Sequence, residues 1–554
     1  PSEMIADTWR DRSIPFGSSD INNFVATDQV VHALAKALKE SGRSVGSPME
    51  YCKSAPVPLS FLDGYVLKQL LAESKRDPAV RKALQGHQQA WLDVDAVDNY
   101  QLRVGMVKED STQPVLSHAR LTQVVDQAVG EYGANHLWIP PSLPYYPLAG
   151  VYEHSHGFSK TLIFSAWVMV PRAIASLISY EVERRTIGDE RTKDPEREPK
   201  PRTYFGARDD ANYKRHPAPL LTFSRGREDG RRVMQSMSNF CLLYPSPSLA
   251  AVTDGAELLR SGQTLSELRL RFTQEMERMI AGADLVQYEV SAGTSEKWYW
   301  AAPLLIDRAD KTTRQLIQAW FEDDTYDGNS AYFSAGGKEG GAKAQHFARL
   351  IDALEDPTIL ELGPLPKDLA EVLADMVLGS PAVTALRSLS AGYGIAANEL
   401  QVEDLANSFD IANEFLNLFN KPESITAIRL NGTEGFYWRQ ALRYSADGCI
   451  QAVLDEYLHL LKGQIGNRKD AVKGLVDTVN LNTASINVDG MNSFLKGKPQ
   501  KMRCHYAVEF GNQKIETDEG QKRATSTRAN FNSPFRPFVL ATTSIGQEGL
   551  DFHQ

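Results

Sequence analysis

A short apolar run near the end of the chain, PFVLA at residues 537–541, constrains the fold more than any other segment. A run of this length is typical of a buried strand. It ends at Thr542 and Thr543, and a loop with two glycines and two carboxylates follows, IGQEGLDF at residues 545–552. Open α/β sheets bind ligands outside the carboxyl ends of their strands, where glycine lets the backbone approach a phosphate or ribose closely. The segment therefore predicts an α/β sheet with a ligand site at this edge.

A second strand is predicted far upstream, at residues 160–167 (KTLIFSAW), and a helix follows it at residues 171–185. A strand followed by a helix is the unit from which parallel sheets are built. Ser165 would stand at the carboxyl end of this strand, where its hydroxyl can donate to a phosphate. An ordinary hydrogen-bonded serine is the other reading, and the residues alone leave the two open.

The length, charge and composition of the chain exclude some classes of protein. A chain of 554 residues predicts more than one domain. Its net charge of −10 argues against a basic coat, although a local positive groove along nucleic-acid phosphates remains compatible with it. The four cysteines have no metal-ligand spacing, and no apolar run reaches the roughly 20 residues of a membrane span. A cytoplasmic protein with reduced thiols and no membrane partner is expected.

Most of the remaining chain has helical apolar spacing. Helices are predicted in the first hundred residues at 23–41, 60–72 and 78–91, and in the middle of the chain at 256–281, 312–320, 344–354, 367–378, 402–419 and 438–461. A further strand is predicted at 501–510, and a helix at 520–530 precedes the final strand.

Two segments each have two possible interpretations. Trp138, Tyr145 and Tyr146 lie in a proline-rich, aromatic stretch, where they would either stack on bases or cover a neighbouring lobe. Residues 181–216 are densely charged, with mixed signs and frequent proline, which predicts a long exposed linker rather than a DNA contact.

Three segments together resemble a known family. FVLATTSIGQEGLDF at 538–552 resembles motif V of superfamily-two helicases, in the form used by Swi/Snf-like and related bacterial ATPases. FSKTLIFSAW at 158–167 resembles motif IV, the strand that opens the second RecA-like lobe, and RANFN at 528–532 resembles the helix end before motif V. The matches cover roughly a fifth of the chain.

The resemblance implies an α/β fold, a RecA-like lobe of the P-loop NTPase type with a parallel sheet and a large, mostly α-helical insertion. The implied domains are an N-terminal, mostly helical region at 1–100, the start of the lobe at 101–190, a charged linker and helical insertion at 191–497, and the rest of the lobe at 498–554. The last part would stop before motif VI, so the chain would be one lobe of a longer or multi-chain ATPase.

The resemblance also implies the chemistry. In this family two lobes clamp ATP, and the first lobe brings the phosphate-binding loop and holds Mg²⁺. Gly546, Glu548, Gly549 and Asp551 would face the nucleotide, while Ser165, Thr542 and Thr543 would meet the nucleic-acid backbone. No catalytic residue and no metal ligand is assigned to this chain.

The function expected from these motifs is ATP-dependent helicase or translocase activity, exerted together with a first RecA-like lobe in the same or a partner chain. DNA is the expected track, although strandedness and RNA stay open. The sequence contains no Gly-Lys-Thr loop and no Asp-Glu-x-His box, so this chain alone should not hydrolyse ATP. The alternative is a non-catalytic, helicase-derived scaffold that binds nucleic acid or a partner. The large insertion resembles those of bacterial anti-phage defence proteins, which implies a defence-complex protein as a further partner.

Overall fold

The computed structural model describes residues 17–39, 44–54, 57–61, 66–74, 76–102, 118–155, 157–188, 204–205, 219–224, 235–322, 342–432, 435–465, 467–479, 484–510 and 526–543. These residues are mostly helical and contain a small parallel sheet, so the α/β class is confirmed at that level. Their apolar side chains form three cores, which correspond to an N-terminal helical unit, an α/β unit and a large helical unit.

The N-terminal unit consists of one helix of 21 residues and several short helices. Its elements are α1 (Ser18–Leu38), α2 (Pro48–Ser54), α3 (Val66–Ser74), α4 (Pro78–Gly86) and α5 (Val94–Asp98). Asp77 caps α4 by accepting from the backbone N–H of Ala79 at 2.8 Å, and Pro78 occupies the first helical position, where its missing N–H costs nothing. The predicted helix at 60–72 begins later than expected, since residues 58–61 form a 3₁₀ turn.

The α/β unit joins residues from both ends of the chain. After α6 (Ala119–Ala128) come β1 (Thr161–Ser165) and α7 (Met169–Glu183). Thirteen of the fifteen residues of α7 are buried, because the helix packs against strands of two sheets and against the 3₁₀ turn at 58–61. The prediction of an exposed linker at 181–216 is wrong for its first residues, since Glu181 and Glu183 are buried. It is also wrong for Tyr204, whose ring packs against those of Tyr100 and Tyr180. The rest of that tract is almost entirely outside the described residues.

The helices of the helical unit lie between β1 and the C-terminal strands in the sequence. Its helices, with one short strand, are α8 (Phe240–Leu243), α9 (Pro247–Ala250), α10 (Gly255–Ser261), α11 (Leu265–Gly282), β2 (Glu289–Thr294), α12 (Trp298–Ala309), α13 (Lys311–Glu322), α14 (Ala342–Glu355), α15 (Leu369–Gly379), α16 (Pro381–Tyr393), α17 (Val402–Phe419), α18 (Pro422–Leu430), α19 (Tyr437–Asp447), α20 (Ile450–Gln464) and α21 (Arg468–Val479). Its core contains buried residues between Leu137 and Val479 and, from the segment before the last strand, Phe535.

Two predicted helices of this unit are each two helices. The prediction at 256–281 is interrupted by Gly262, whose φ of +60° ends α10 with a left-handed residue that glycine adopts without strain. The prediction at 438–461 is interrupted between α19 and α20 at Gly448 and Cys449, and Cys449 has a φ of 47°. In both places a turn of special backbone conformation separates two stretches whose apolar spacing is continuous.

The chain then returns to the α/β unit through β3 (Ala484–Val488), α22 (Met491–Lys496), β4 (Gln500–Cys504), β5 (Ala507–Phe510) and β6 (Val539–Thr543). The single strand predicted at 501–510 is wrong. β4 pairs antiparallel with β3, whereas β5 joins the parallel sheet. β3 and β4 place Ile486, Val488, Met502 and Cys504 in the α/β core, whereas α22 places Met491 and Phe494 in the core of the N-terminal unit.

The parallel sheet has the order β1–β6–β5. Both pairings are parallel and in register, with Leu162, Leu540 and Val508 side by side. α7 covers this sheet, and the Ser179 hydroxyl of α7 accepts from the backbone N–H of Ala507 at 3.1 Å. The first and the last described strands of the unit are thus direct neighbours.

Candidate functional site

The two motif-bearing strands meet at one edge of the parallel sheet. β1 and β6 are hydrogen-bonded neighbours, Ser165 lies opposite Thr543, and Phe164 lies opposite Thr542. Neighbouring strands are about 4.8 Å apart, so Ser165 and Thr543 stand side by side where both strands end. The prediction that these strands belong to one parallel sheet is confirmed.

The three residues that were predicted to bind nucleic acid differ in their exposure to solvent. Thr542 is fully buried, and its hydroxyl donates to the Thr543 carbonyl at 3.3 Å, so its side chain does not reach the surface of this edge. Thr543 is buried except for about 6% of its surface. The Ser165 hydroxyl is half-buried and accepts from the backbone N–H of Trp167 at 3.1 Å, which closes the turn into α7. Of the three, Ser165 is therefore the accessible side chain at this edge, and Thr543 lies beside it nearly buried.

Three exposed apolar residues flank Ser165 in the sequence. Phe164 is 43% exposed, Trp167 is 36% exposed and Val168 is 52% exposed. Large apolar side chains that are exposed next to one another often mark an interaction surface. These three residues were not predicted from the sequence as part of a site. The alternation of an apolar and a polar residue at a strand end, Phe164 and Ser165, could have indicated one.

Two buried cations fix the turn that leads into β6. The Lys160 ammonium donates to the carbonyls of Asn530 at 2.9 Å and Phe535 at 2.6 Å, and burial lowers its pKa well below the usual value. The Arg536 guanidinium donates to the carbonyls of Ala134 at 3.0 Å and His136 at 2.8 Å. Lys160 therefore ties the start of β1 to the segment before β6, and Arg536 ties that segment to residues 134–136.

The predicted nucleotide-facing residues Gly546, Glu548, Gly549 and Asp551 lie outside the described residues. Their strand, β6, is described up to Thr543. Their assignment to a nucleotide stays a prediction.

The aromatic stretch near residue 140 covers the helical unit. The Trp138 indole is fully buried and donates to the Gly448 carbonyl at 3.0 Å, and the Tyr146 hydroxyl donates to the Ala446 carbonyl at 2.8 Å. Tyr145 donates to Asp455 at 2.8 Å. Trp138 and Tyr146 are thus packing residues, as the covering alternative predicted, and they join the α/β unit to α19 and α20.

A buried charge cluster was missed by the sequence reasoning. Glu423 at the start of α18 pairs with Arg503 of β4, and Lys421 and His505 also act on its charge. Although burial alone would raise it, the pKa of Glu423 is lowered by these positive groups. Because the partners are separated by 80 residues, no local pattern could have revealed the pair.

Within the described ranges, no group of three or more His, Cys, Asp or Glu side chains is arranged to hold a metal ion. No single helix in those ranges is long and apolar enough to span a membrane. The consecutive helices α15 and α16 reach the length and apolar composition of a membrane span only when taken together, and they are bent by 47° at the break between them. Both contribute buried side chains to the core of the helical unit.

Comparison of the chain with models of known families, with curated proteins and with solved structures finds no match.

Proposed function

We propose that the chain contributes the second RecA-like lobe of an ATP-dependent nucleic-acid translocase or helicase acting in the cytoplasm. The observation that carries the proposal is the pairing of β1 with β6. Two segments that resemble motifs IV and V, hundreds of residues apart in sequence, lie as adjacent parallel strands with Ser165 opposite Thr543. This arrangement supports the proposal, because both motif-bearing strands would belong to one parallel sheet in a RecA-like lobe.

The proposed phosphate contact follows from the position of Ser165 and Thr543 at the carboxyl ends of β1 and β6. Hydroxyl and backbone N–H groups at strand ends donate to phosphate oxygens without reading sequence. Ser165 and Thr543 would grip one strand of the track, with DNA as the expected nucleic acid. ATP would lie beside the following loop, where Glu548 and Asp551 supply acceptors, and a first RecA-like lobe would bring the phosphate-binding loop and Mg²⁺.

The phosphate contact is tested by fluorescence anisotropy with a labelled oligonucleotide, in single-stranded and duplex form. Ser165→Ala and Thr543→Val each remove one hydroxyl, and Thr161→Val removes one at the opposite end of β1 as a matched control. Loss of one hydrogen bond costs about 0.5–1.5 kcal/mol, so the double variant should bind about tenfold more weakly. Equal affinity for the double variant and the control would count against the edge as a nucleic-acid site.

A helicase-derived scaffold without catalysis is the second candidate. The exposed side chains of Phe164, Trp167 and Val168 favour it, because a partner protein could cover them. A defence-complex protein would be such a partner. The two candidates differ in whether the complete gene product hydrolyses ATP.

A further inference from the structure

Two exposed aromatic rings flank Ser165 in the chain. Phe164 is 43% exposed and Trp167 is 36% exposed. Within the described residues, neither ring pairs with another aromatic ring. Phe436, which is similarly exposed at the start of α19, differs because its ring stacks on that of Trp438. The carboxyl end of β1 therefore presents two rings that the described part of the protein does not cover with other rings.

The residues that the sequence offered for base stacking cannot provide it. Trp138 is fully buried, and Tyr146 is 3% exposed. A base stacks on an aromatic side chain only where one face of the ring is open. Phe164 and Trp167 are exposed, and they lie on the sheet edge for which a phosphate contact is already proposed.

The turn from β1 into α7 carries positive charge. α7 begins at Met169 without a side-chain cap, and its first turn contains no acidic residue. The first backbone N–H groups of a helix carry a partial positive charge. Arg172 follows in the same turn, and its guanidinium donates to the Asn487 carbonyl at 3.2 Å. Among the three described strands of the sheet, Glu509 of β5 is the acidic residue, and it lies on the far side of β6 from β1. The charge at this turn therefore favours an anionic partner over an uncharged one.

Ser165 supplies a hydrogen-bond donor between the two rings. Its oxygen accepts from the backbone N–H of Trp167 at 3.1 Å, and its own O–H has no acceptor within the described residues. Serine hydroxyls commonly donate to phosphate oxygens. Phe164 and Trp167 are three residues apart, so their Cα atoms are at most about 11 Å apart. One oligonucleotide can therefore contact both rings and the hydroxyl.

We propose that Phe164 and Trp167 stack on bases of a single-stranded nucleic acid, one of whose phosphates accepts from Ser165. A duplex keeps the faces of its bases inside its own stack, so the rings select single strands, and they do so without reading sequence. The inference rests on the proposed function, because it takes the same sheet edge as the nucleic-acid site, and it adds the form of the strand.

The test uses the full chain and fluorescence anisotropy with three labelled probes of equal length. These are oligothymidylate, an abasic strand that has the same phosphates and no bases, and a duplex. Phe164→Ala and Trp167→Ala each remove one ring, whereas Trp167→Phe keeps a ring at that position. Phe436→Ala removes an exposed ring of the helical unit and is the matched control. Circular dichroism of each variant confirms that the fold is retained.

Wild type should bind oligothymidylate more tightly than the abasic strand and the duplex. Each alanine substitution at Phe164 or Trp167 should weaken the binding of oligothymidylate about fivefold or more, since stacking of one base contributes at least that factor. Binding of the abasic strand should not change. Trp167→Phe and Phe436→Ala should bind all three probes like wild type.

The proposal is overturned if both alanine variants bind oligothymidylate like wild type, or if they lose the abasic strand equally. The rings would then be a surface for a partner protein. If Ser165→Ala still weakens all three probes in that case, the nucleic-acid edge of the proposed function stands without the stacking. Loss of base-dependent binding in the alanine variants, in a gene product that does not hydrolyse ATP, would support the stacking and contradict the motor. If wild type binds none of the probes, both proposals fail.

Discussion

Glu423 accepts hydrogen bonds from Arg503 with both of its carboxylate oxygens, at 3.2 and 3.3 Å. Glu423 belongs to α18 of the helical unit, and Arg503 belongs to β4 of the α/β unit. The Glu423 side chain is almost fully buried and that of Arg503 is about 18% exposed. This ion pair therefore joins the two units inside the protein, where water screens it little.

Glu423→Gln is expected to lower the free energy of unfolding by about 3 kcal/mol, because it removes the carboxylate that pairs with Arg503 inside the protein. Urea denaturation measures the change. Glu275→Gln, which breaks the exposed pair with Arg278, should cost less than about 1 kcal/mol. Equal effects of the two substitutions would show that the buried pair does not join the units.

The same pair predicts a pH dependence. The pKa of Glu423 is lowered in the folded state by Arg503, His505 and Lys421, despite the opposing effect of burial. Its contribution is therefore complete above the unfolded pKa of about 4.3 and is lost as the pH falls below that value. The difference between wild type and Glu423→Gln should be largest near pH 7 and shrink below about pH 4. A constant difference across this range would contradict the charge-based explanation.

Gly448→Ala should destabilise the protein by about 1–3 kcal/mol. An added Cβ would lie 2.8 Å from the Trp138 indole nitrogen and 2.7 Å from the Tyr152 ring, both in the core. Gly463→Ala is the matched control, since nothing lies within 4 Å of its Cβ position near the end of α20, and it should be neutral or slightly stabilising. Thermal unfolding of the two variants compares them directly, and a similar melting temperature for both would contradict the close packing at Gly448.

Lys343 predicts a second pH dependence, at alkaline pH and in the same direction as that of Glu423. Burial lowers its pKa to about 8, while its ammonium lies over the Phe223 and Phe409 rings and donates to Asn413 at 2.7 Å. Between pH 8 and the unfolded pKa of about 10.4, the unfolded chain binds more protons, so the free energy of unfolding should rise with pH. The rise is measured relative to Lys343→Met, with Lys367→Met as the control for losing one exposed lysine. A fall in this difference above pH 8 would contradict the assignment.

Lys160→Met tests how the sheet edge is held. The substitution keeps an apolar stem and removes the donor to the Phe535 carbonyl, which should cost about 1–3 kcal/mol. Lys501→Met, at an exposed position on β4, should change the free energy of unfolding by less than about 0.5 kcal/mol. If Lys160→Met is as stable as the control, the buried ammonium does not fix the turn before β6.

Local patterns were sufficient where apolar spacing alone defines an element. α17 has the predicted bounds, 402–419, and β1 and β6 lie within two residues of the predicted strands. α12 was missed: it is buried on every side and contains Pro303, so it shows neither a polar face nor an uninterrupted helical sequence.

Tertiary pairing could not be predicted. Residues 501–510 have continuous strand character, yet the Tyr506 carbonyl accepts from the backbone N–H groups of Phe538 and Val539, and the chain changes sheets there. The resemblance implied that the strands of Ser165 and Thr543 belong to one lobe, but it gave no register between them. The contact of Glu423 with Arg503 had no sequence signal.

Nucleic-acid-stimulated ATP hydrolysis by the complete gene product tests the proposed function most directly, with Glu548→Gln and Thr543→Val measured beside wild type. We expect hydrolysis that rises with DNA, collapses in Glu548→Gln and loses its DNA stimulation in Thr543→Val. Absence of ATP hydrolysis, with nucleic-acid or protein binding intact, would contradict a motor and support the scaffold.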